Sequence, residues 1–191
     1  WSSDGFVALG VELCRGGGKM TEYLACLKEI WSGDPAEFSG EFYQVPRGWV
    51  DPKPVQQPHP PVLLGGTADA ALRRAGGLAE GWISSSRVAV ETVPAAIEQV
   101  RAGASAAGRD PDAARIVIRG VARLRDEPDP ESGPLTGPIE VIREGLAWYA
   151  EAGATEVFLD LNFDEQIGTP DADPARSSDV AHQVLEAFAP A

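Results

Sequence analysis

The chain has 191 residues, 43% of them hydrophobic, and its 29 acidic against 16 basic residues give a formal charge of −13. That length and apolar content allow one sizeable core, while the negative charge opposes association with nucleic acid or an anionic membrane surface. Two cysteines (Cys14, Cys26) and two histidines (His59, His182) have no metal-ligand spacing and no secretory signal ahead of them, so reduced thiols in a cytoplasmic protein without a metal site are expected.

The chain opens on Trp1-Ser2-Ser3 without an initiator methionine, and a processed or incomplete sequence is expected. Met20, Tyr23, Leu24, Leu27, Ile30 and Trp31 follow helical spacing, and Ser32-Gly33 ends the run. Cys26 lies beside that stripe and is read as a packing residue. Phe38 to Val45 has two short aromatic or β-branched pieces around Ser39-Gly40, which predicts a small hairpin inserted on a loop before a proline-rich connector.

The connector leads into Pro61-Val62-Leu63-Leu64, a short apolar strand that delivers Gly65 and Gly66 to the alanine-rich run Ala68 to Ala79. Thr67 is expected to cap that helix, with Asp69 in its acidic first turn. Free N–H groups at such a start attract an anion, and phosphate binding stands beside the simpler reading of a tight strand-to-helix turn.

Gly81 to Ser85 reads as the next strand, followed by a helix bearing Val93, Ile97, Val100 and Ala104 with Pro94 in its first turn. Ala114 to Ala122 is a third strand, Asp126 to Gly133 an acidic proline-rich loop, and Pro138 starts a helix that Gly153 closes. Glu156 to Leu161 is a fourth strand. A polar loop then runs to Arg176, and Ser178-Asp179 is expected to cap the last helix.

Four strand-then-helix units with apolar strands indicate an α/β fold with a parallel sheet. Gly65-Gly66 lacks the third glycine of a dinucleotide fingerprint, which favours barrel geometry over a doubly wound sheet. A complete (β/α)8 barrel takes about 250 residues, so a barrel here implies further units.

The order Trp1, Phe6, Leu9-Gly10-Val11, Arg15-Gly16, Glu22, Leu27, Ile30-Trp31, then Phe38-Ser39-Gly40-Glu41-Phe42-Tyr43, Pro52-Lys53-Pro54-Val55-Gln56, Pro60-Pro61-Val62, Gly65-Gly66 and Gly81-Trp82 resembles the luciferase-like monooxygenase family, and within it the branch that uses coenzyme F420. Gly137-Pro138 to Gly153 and Glu156-Val157-Phe158 look like its closing helix and last strand. The resemblance implies a single domain over 1–191 that is the C-terminal half of a TIM-like barrel, lacking the first βα units. It also implies a cytoplasmic oxidoreductase of the F420 or FMN type acting on a small organic substrate. By the same resemblance Gly65, Gly66 and Thr67 hold the cofactor phosphate, Leu63 and Leu64 line the barrel interior, and Trp82 with Ser84 stand near its mouth.

Two departures stand out: Gly5 replaces a frequent acidic residue, and Gly16-Gly17-Gly18 is expected to loosen the start of the first helix. No catalytic acid or base is named. Asp160, Asp164 and Glu165 follow the last strand at the appropriate end of a barrel, and in so acidic a chain they are read as a solvated loop. Two other readings remain: a half-barrel that is not an enzyme alone and needs a second copy or the missing half, and an unrelated phosphate-binding α/β domain.

Overall fold

The computed structural model describes Ala8 and residues 16–189. Readings that rest on Trp1, Gly5, Phe6, Leu9, Gly10, Val11, Cys14 and Arg15 lie outside the described residues. The chain forms two compact units, Trp1–Val62 and Leu63–Ala191.

In the first unit helix α1 (Gly16–Ser32) buries Leu24 and Cys26. The three glycines expected to loosen its start are helical. A side chain at Gly18 would meet the Phe42 ring at 3.6 Å, so a packed partner is at hand where intrinsic propensity is poor. Burial, and then the Glu22 charge, push the Cys26 thiol up, which suits a packing residue. Strands β1 (Ala36–Ser39) and β2 (Gln44–Gly48) form the expected hairpin, antiparallel with Phe38 opposite Val45.

Glu22 ties this hairpin to α1. Its carboxylate accepts the backbone N–H of Glu41, Phe42 and Tyr43 at 2.9, 2.7 and 2.8 Å. Beyond the hairpin, Lys53 donates to the carbonyls of Ile30 (3.0 Å) and Gly33 (2.6 Å), satisfying acceptors that the end of α1 leaves open.

The second unit holds a four-stranded parallel sheet of β3 (Leu63–Leu64), β4 (Gly81–Ile83), β5 (Arg115–Val121) and β8 (Glu156–Asp160), in that spatial order. Each strand is followed by a helix: α2 (Asp69–Leu78), α3 (Val93–Ala106), α4 (Ile139–Glu151) and α5 (Pro174–Phe188). Because the order in space follows the order in sequence, the sheet has no reversal of the doubly wound kind and matches part of a TIM-like barrel. Between β5 and α4 a small parallel pair, β6 (Arg123–Leu124) with β7 (Thr136–Gly137), flanks the loop read from sequence over Asp126 to Gly133.

One face of the sheet is sealed by helices. Trp82, Ile116 and Ile118 share a buried cluster with Leu72 of α2, Ile97 and Val100 of α3, and Ile142 and Tyr149 of α4. Each such aliphatic side chain contributes about 1.5–3 kcal/mol on burial. Helices α2 and α3 lie closest together, since a side-chain carbon at Gly76 would collide with the Val100 carbonyl, and one at Gly103 with the Arg73 carbonyl.

Two expected caps are corrected. The last helix is capped five residues earlier than Ser178-Asp179 suggested, because Asp173 accepts from Ala175 N at 3.0 Å and Pro174 takes the first helical position, where a missing N–H costs nothing. The cap of α2 is Ala68, not Thr67, and no side chain accepts from that helix start. None of the described helices is long and apolar enough to cross a membrane.

Candidate functional site

At the C-terminal end of β3 the chain turns through Gly65 and Gly66 into α2. Gly66 sits at φ 126°, a conformation that side chains disfavour, and a β-carbon there would lie 2.8 Å from the Ala71 methyl. Glycine is therefore needed at Gly66, whereas at Gly65 a β-carbon would make an ordinary 3.7 Å contact with the Ile83 carbonyl. The Gly66 carbonyl accepts from the indole Nε1 of Trp82 at 2.9 Å. Trp82 has no exposed surface, so the turn is bolted to the core.

Gly65 through Ala70 are all exposed. Ala68 has no side chain to cap the helix; its carbonyl accepts from the amides of Ala71 (2.8 Å) and Leu72 (3.0 Å), and Asp69 and Ala70 ahead of them are exposed behind a fixed turn. Of the residues assigned from sequence, Gly65, Gly66 and Thr67 stand together at this spot. Leu64 pairs with Trp82 and packs against the helix-side core, while Leu63 pairs with Gly81. Trp82, expected at the mouth, points into the helix layer. Ser84 is buried at the strand end and accepts from the Arg119 amide at 2.9 Å.

Beside the turn, a cleft of about 220 Å³ opens between the starts of α2 and α3, lined by Thr67, Asp69, Trp82, Val88, Thr92 and Gln99 among others. Two carboxylates, Asp69 and Glu98, border it, and neither lysine nor arginine does.

Of the three acidic residues read from sequence as a solvated loop, Glu165 is exposed, but Asp160 at the end of β8 and Asp164 beyond it are buried. Asp160 is fully buried: Oδ1 accepts from Asn162 N (3.1 Å) and Nδ2 (2.8 Å), and Oδ2 from Ser86 Oγ (2.5 Å) and Arg119 Nη2 (2.7 Å). Burial raises its carboxyl, but the bonds from Ser86, Asn162 and Arg119 outweigh it and hold the group below the usual carboxylate range.

Asp164, 1% exposed, takes a two-pronged bond from Arg125 at 2.8 and 2.7 Å and a third from Gln166 N at 3.0 Å. Burial again pushes its carboxyl up, and Arg125 and Gln166 bring it below the ordinary value. Glu165 is the exposed member, 3.6 Å from Arg123 and 3.7 Å from Arg125. Arg119, Ser86, Asn162 and Arg125 were missed by sequence reasoning. The available signal was a single cation interrupting the apolar run Ile116-Val117-Ile118, which in a buried parallel strand demands a partner. Among the described residues, no group of three His, Cys, Asp or Glu is placed to hold a metal ion.

Sequence and structural comparisons agree with this architecture. The luciferase-like monooxygenase model matches residues 1–130. An uncharacterized protein of Mycobacterium tuberculosis is 30% identical over 191 residues, covering 99% of this chain and 55% of the relative. The FMNH2-dependent dimethylsulfone monooxygenase of Pseudomonas putida is 33% identical over 105 residues, or 55% of this chain and 28% of that protein. The chain thus spans about half the length, or less, of these relatives.

In fold it is similar to a monooxygenase from Streptomyces bottropensis (TM-score 0.74, 15% identity, 97% of this chain and 64% of that one). It is similar also to the coenzyme F420-dependent tetrahydromethanopterin reductase of Methanopyrus kandleri (TM-score 0.72, 14% identity, 96% and 70%). With the strand order and the helix-sealed face described above, the chain belongs to the luciferase-like monooxygenase family and forms part of its TIM-like barrel.

Proposed function

We propose that this chain provides the phosphate-binding side of the cofactor pocket in an F420-dependent oxidoreductase acting on a small organic substrate. The observation that carries the reading is the exposed, uncapped start of α2 behind a Gly66 turn that Trp82 holds in place. The Asp69 and Ala70 amides, with the Gly65 and Gly66 backbone and the Thr67 hydroxyl, donate to the phosphate. When bound, the deazaflavin supplies hydride transfer, and the protein's part is to fix its position and exclude water around the ring.

F420 is taken first because the sequence resembles the F420-using branch of the family, through Pro52-Lys53-Pro54-Val55-Gln56 and Gly65-Gly66. FMN remains the second reading, favoured by the FMNH2-dependent relative named above.

Fluorescence titration of the protein with F420 and with FMN tests the proposal. Saturable binding of F420 that Gly66→Asp abolishes is the expected result. Equal affinity in the wild type and the Gly66→Asp variant would overturn the phosphate assignment, and preference for FMN would overturn the choice of cofactor.

A further inference from the structure

Two arginines of β5 fall on the face that the helices leave open: Arg115, at the N-terminal end of the strand, is closed by a two-pronged bond to Glu156 (2.7 and 2.8 Å), and Arg119 stands nearer the C-terminal end. Ile116 and Ile118 belong to the helix-side core, so alternation sends Val117 and Arg119 to the opposite face of β5. The register pairs Arg119 with Phe158 and Val121 with Asp160, while Val157 and Leu159 pack toward the core. Phe158 and Asp160 therefore share the Arg119 face, at the C-terminal end of the strands.

Asp160 is closed to ligands. Its two oxygens receive Asn162 twice, Ser86 and Arg119, which fills the acceptor positions of a carboxylate that has no exposed surface. Arg119 is in the opposite situation. One edge, through Nη2, is committed to Asp160, its guanidinium carbon lies 5.7 Å from the Phe158 ring centre, and 38% of its side chain is exposed. Phe158 is itself 54% exposed. A guanidinium fixed by one edge and one flank presents its remaining N–H donors in a planar array that matches a carboxylate.

We infer that Arg119 binds an oxyanion of the carboxylate type, with Asp160 as its positioning residue and Phe158 as the apolar surface beside the bound group. Ser86 and Asn162 hold Asp160, so three residues, from β8 and the loops after β4 and β8, are joined to aim one arginine. The inference does not depend on the phosphate reading. Two strand spacings, about 10 Å, separate β3 from β5, so the anion can belong to a substrate or to the reduced, anionic ring of a cofactor anchored at Gly66.

Calorimetric titration of the full chain with benzoate and with its neutral counterpart benzamide tests the inference. Wild type should bind benzoate, Arg119→Gln should bind it at least tenfold more weakly, and benzamide binding should change little between the two. Asp160→Asn should reduce the preference for benzoate over benzamide, a selectivity that a purely structural ion pair would not alter. Ser86→Ala, a milder perturbation than Asp160→Asn, should reduce it several-fold. Arg119→Lys keeps the charge without the fork and replaces Arg119→Gln if that variant does not fold.

A second arm compares reduced with oxidised FMN. Weakening of the reduced form together with benzoate in Arg119→Gln assigns the oxyanion to the cofactor, and weakening of benzoate alone assigns it to a substrate. Equal affinity of wild type and variant for benzoate would overturn the inference. Gly66→Asp leaves benzoate binding intact under this inference, so failure of the phosphate reading registers separately.

Discussion

The indole nitrogen of Trp82 donates to the Gly66 carbonyl across 2.9 Å, joining a residue with no exposed surface to a turn that lies fully at the surface. A core side chain on β4 thereby sets the position of the backbone that leaves β3.

Trp82→Phe keeps most of the buried ring and deletes the donor. Loss of one hydrogen bond plus a small cavity should cost about 1–3 kcal/mol in urea unfolding. Cofactor affinity should fall about tenfold, because the turn loses its anchor. A variant that is destabilised yet binds as wild type would show that the indole only fills space.

The two glycines should respond differently to one methyl group. Gly65→Ala has room and should change stability by less than about 1 kcal/mol. Gly66→Ala combines φ 126° with a 2.8 Å approach to Ala71, and should cost about 1–3 kcal/mol. Matched unfolding midpoints for the two variants would contradict the turn geometry.

Contact between α2 and α3 should fail at Gly103. Its added carbon would strike the Arg73 carbonyl, which is backbone and has no rotamer to change. Gly103→Ala should therefore destabilise by about 1–3 kcal/mol, whereas Gly16→Ala, with nothing within 4 Å of the added carbon, should change stability by less than about 1 kcal/mol. Chemical denaturation of both variants checks the difference.

Acid should unfold the second unit through Asp160 and Asp164. Both carboxyls are lowered in the folded state, so between the folded and unfolded values the unfolded chain binds more protons, and stability rises with pH there. Their contribution is fully present above the unfolded value of about 3.9 and is lost as pH falls through the folded values. Asp164→Asn should cost about 3 kcal/mol at neutral pH, by leaving Arg125 without its two-pronged partner, and should flatten the acid limb of the stability curve. An acid limb identical to wild type would exclude this pair as its source.

The local pattern of the chain carried much of the architecture. Alternating apolar strands and helices were legible because periodicity is a property of neighbouring residues, and Pro94 and Gly153 marked element ends by their own stereochemistry. Caps were less legible. Thr67 and Ser178 are chemically suitable acceptors, but α2 starts from Ala68, and Asp173-Pro174 starts α5 earlier. The two-residue strands β6 and β7 were missed, since so short a pair has no period to detect.

By itself the sequence determined the α/β class, the parallel strand-helix order, the glycine pair ahead of α2 and the family resemblance, all of which rest on residues close together in the chain. Tertiary structure alone decided that Trp82 serves the Gly66 turn, that Asp160 is saturated by Ser86, Asn162 and Arg119, and that Asp164 is held by Arg125. Ser86 and Asp160 are 74 positions apart, and Arg119 and Asp160 are 41. Parallel strands meet only through intervening helices, so the register that brings such partners together is fixed by packing across the sheet.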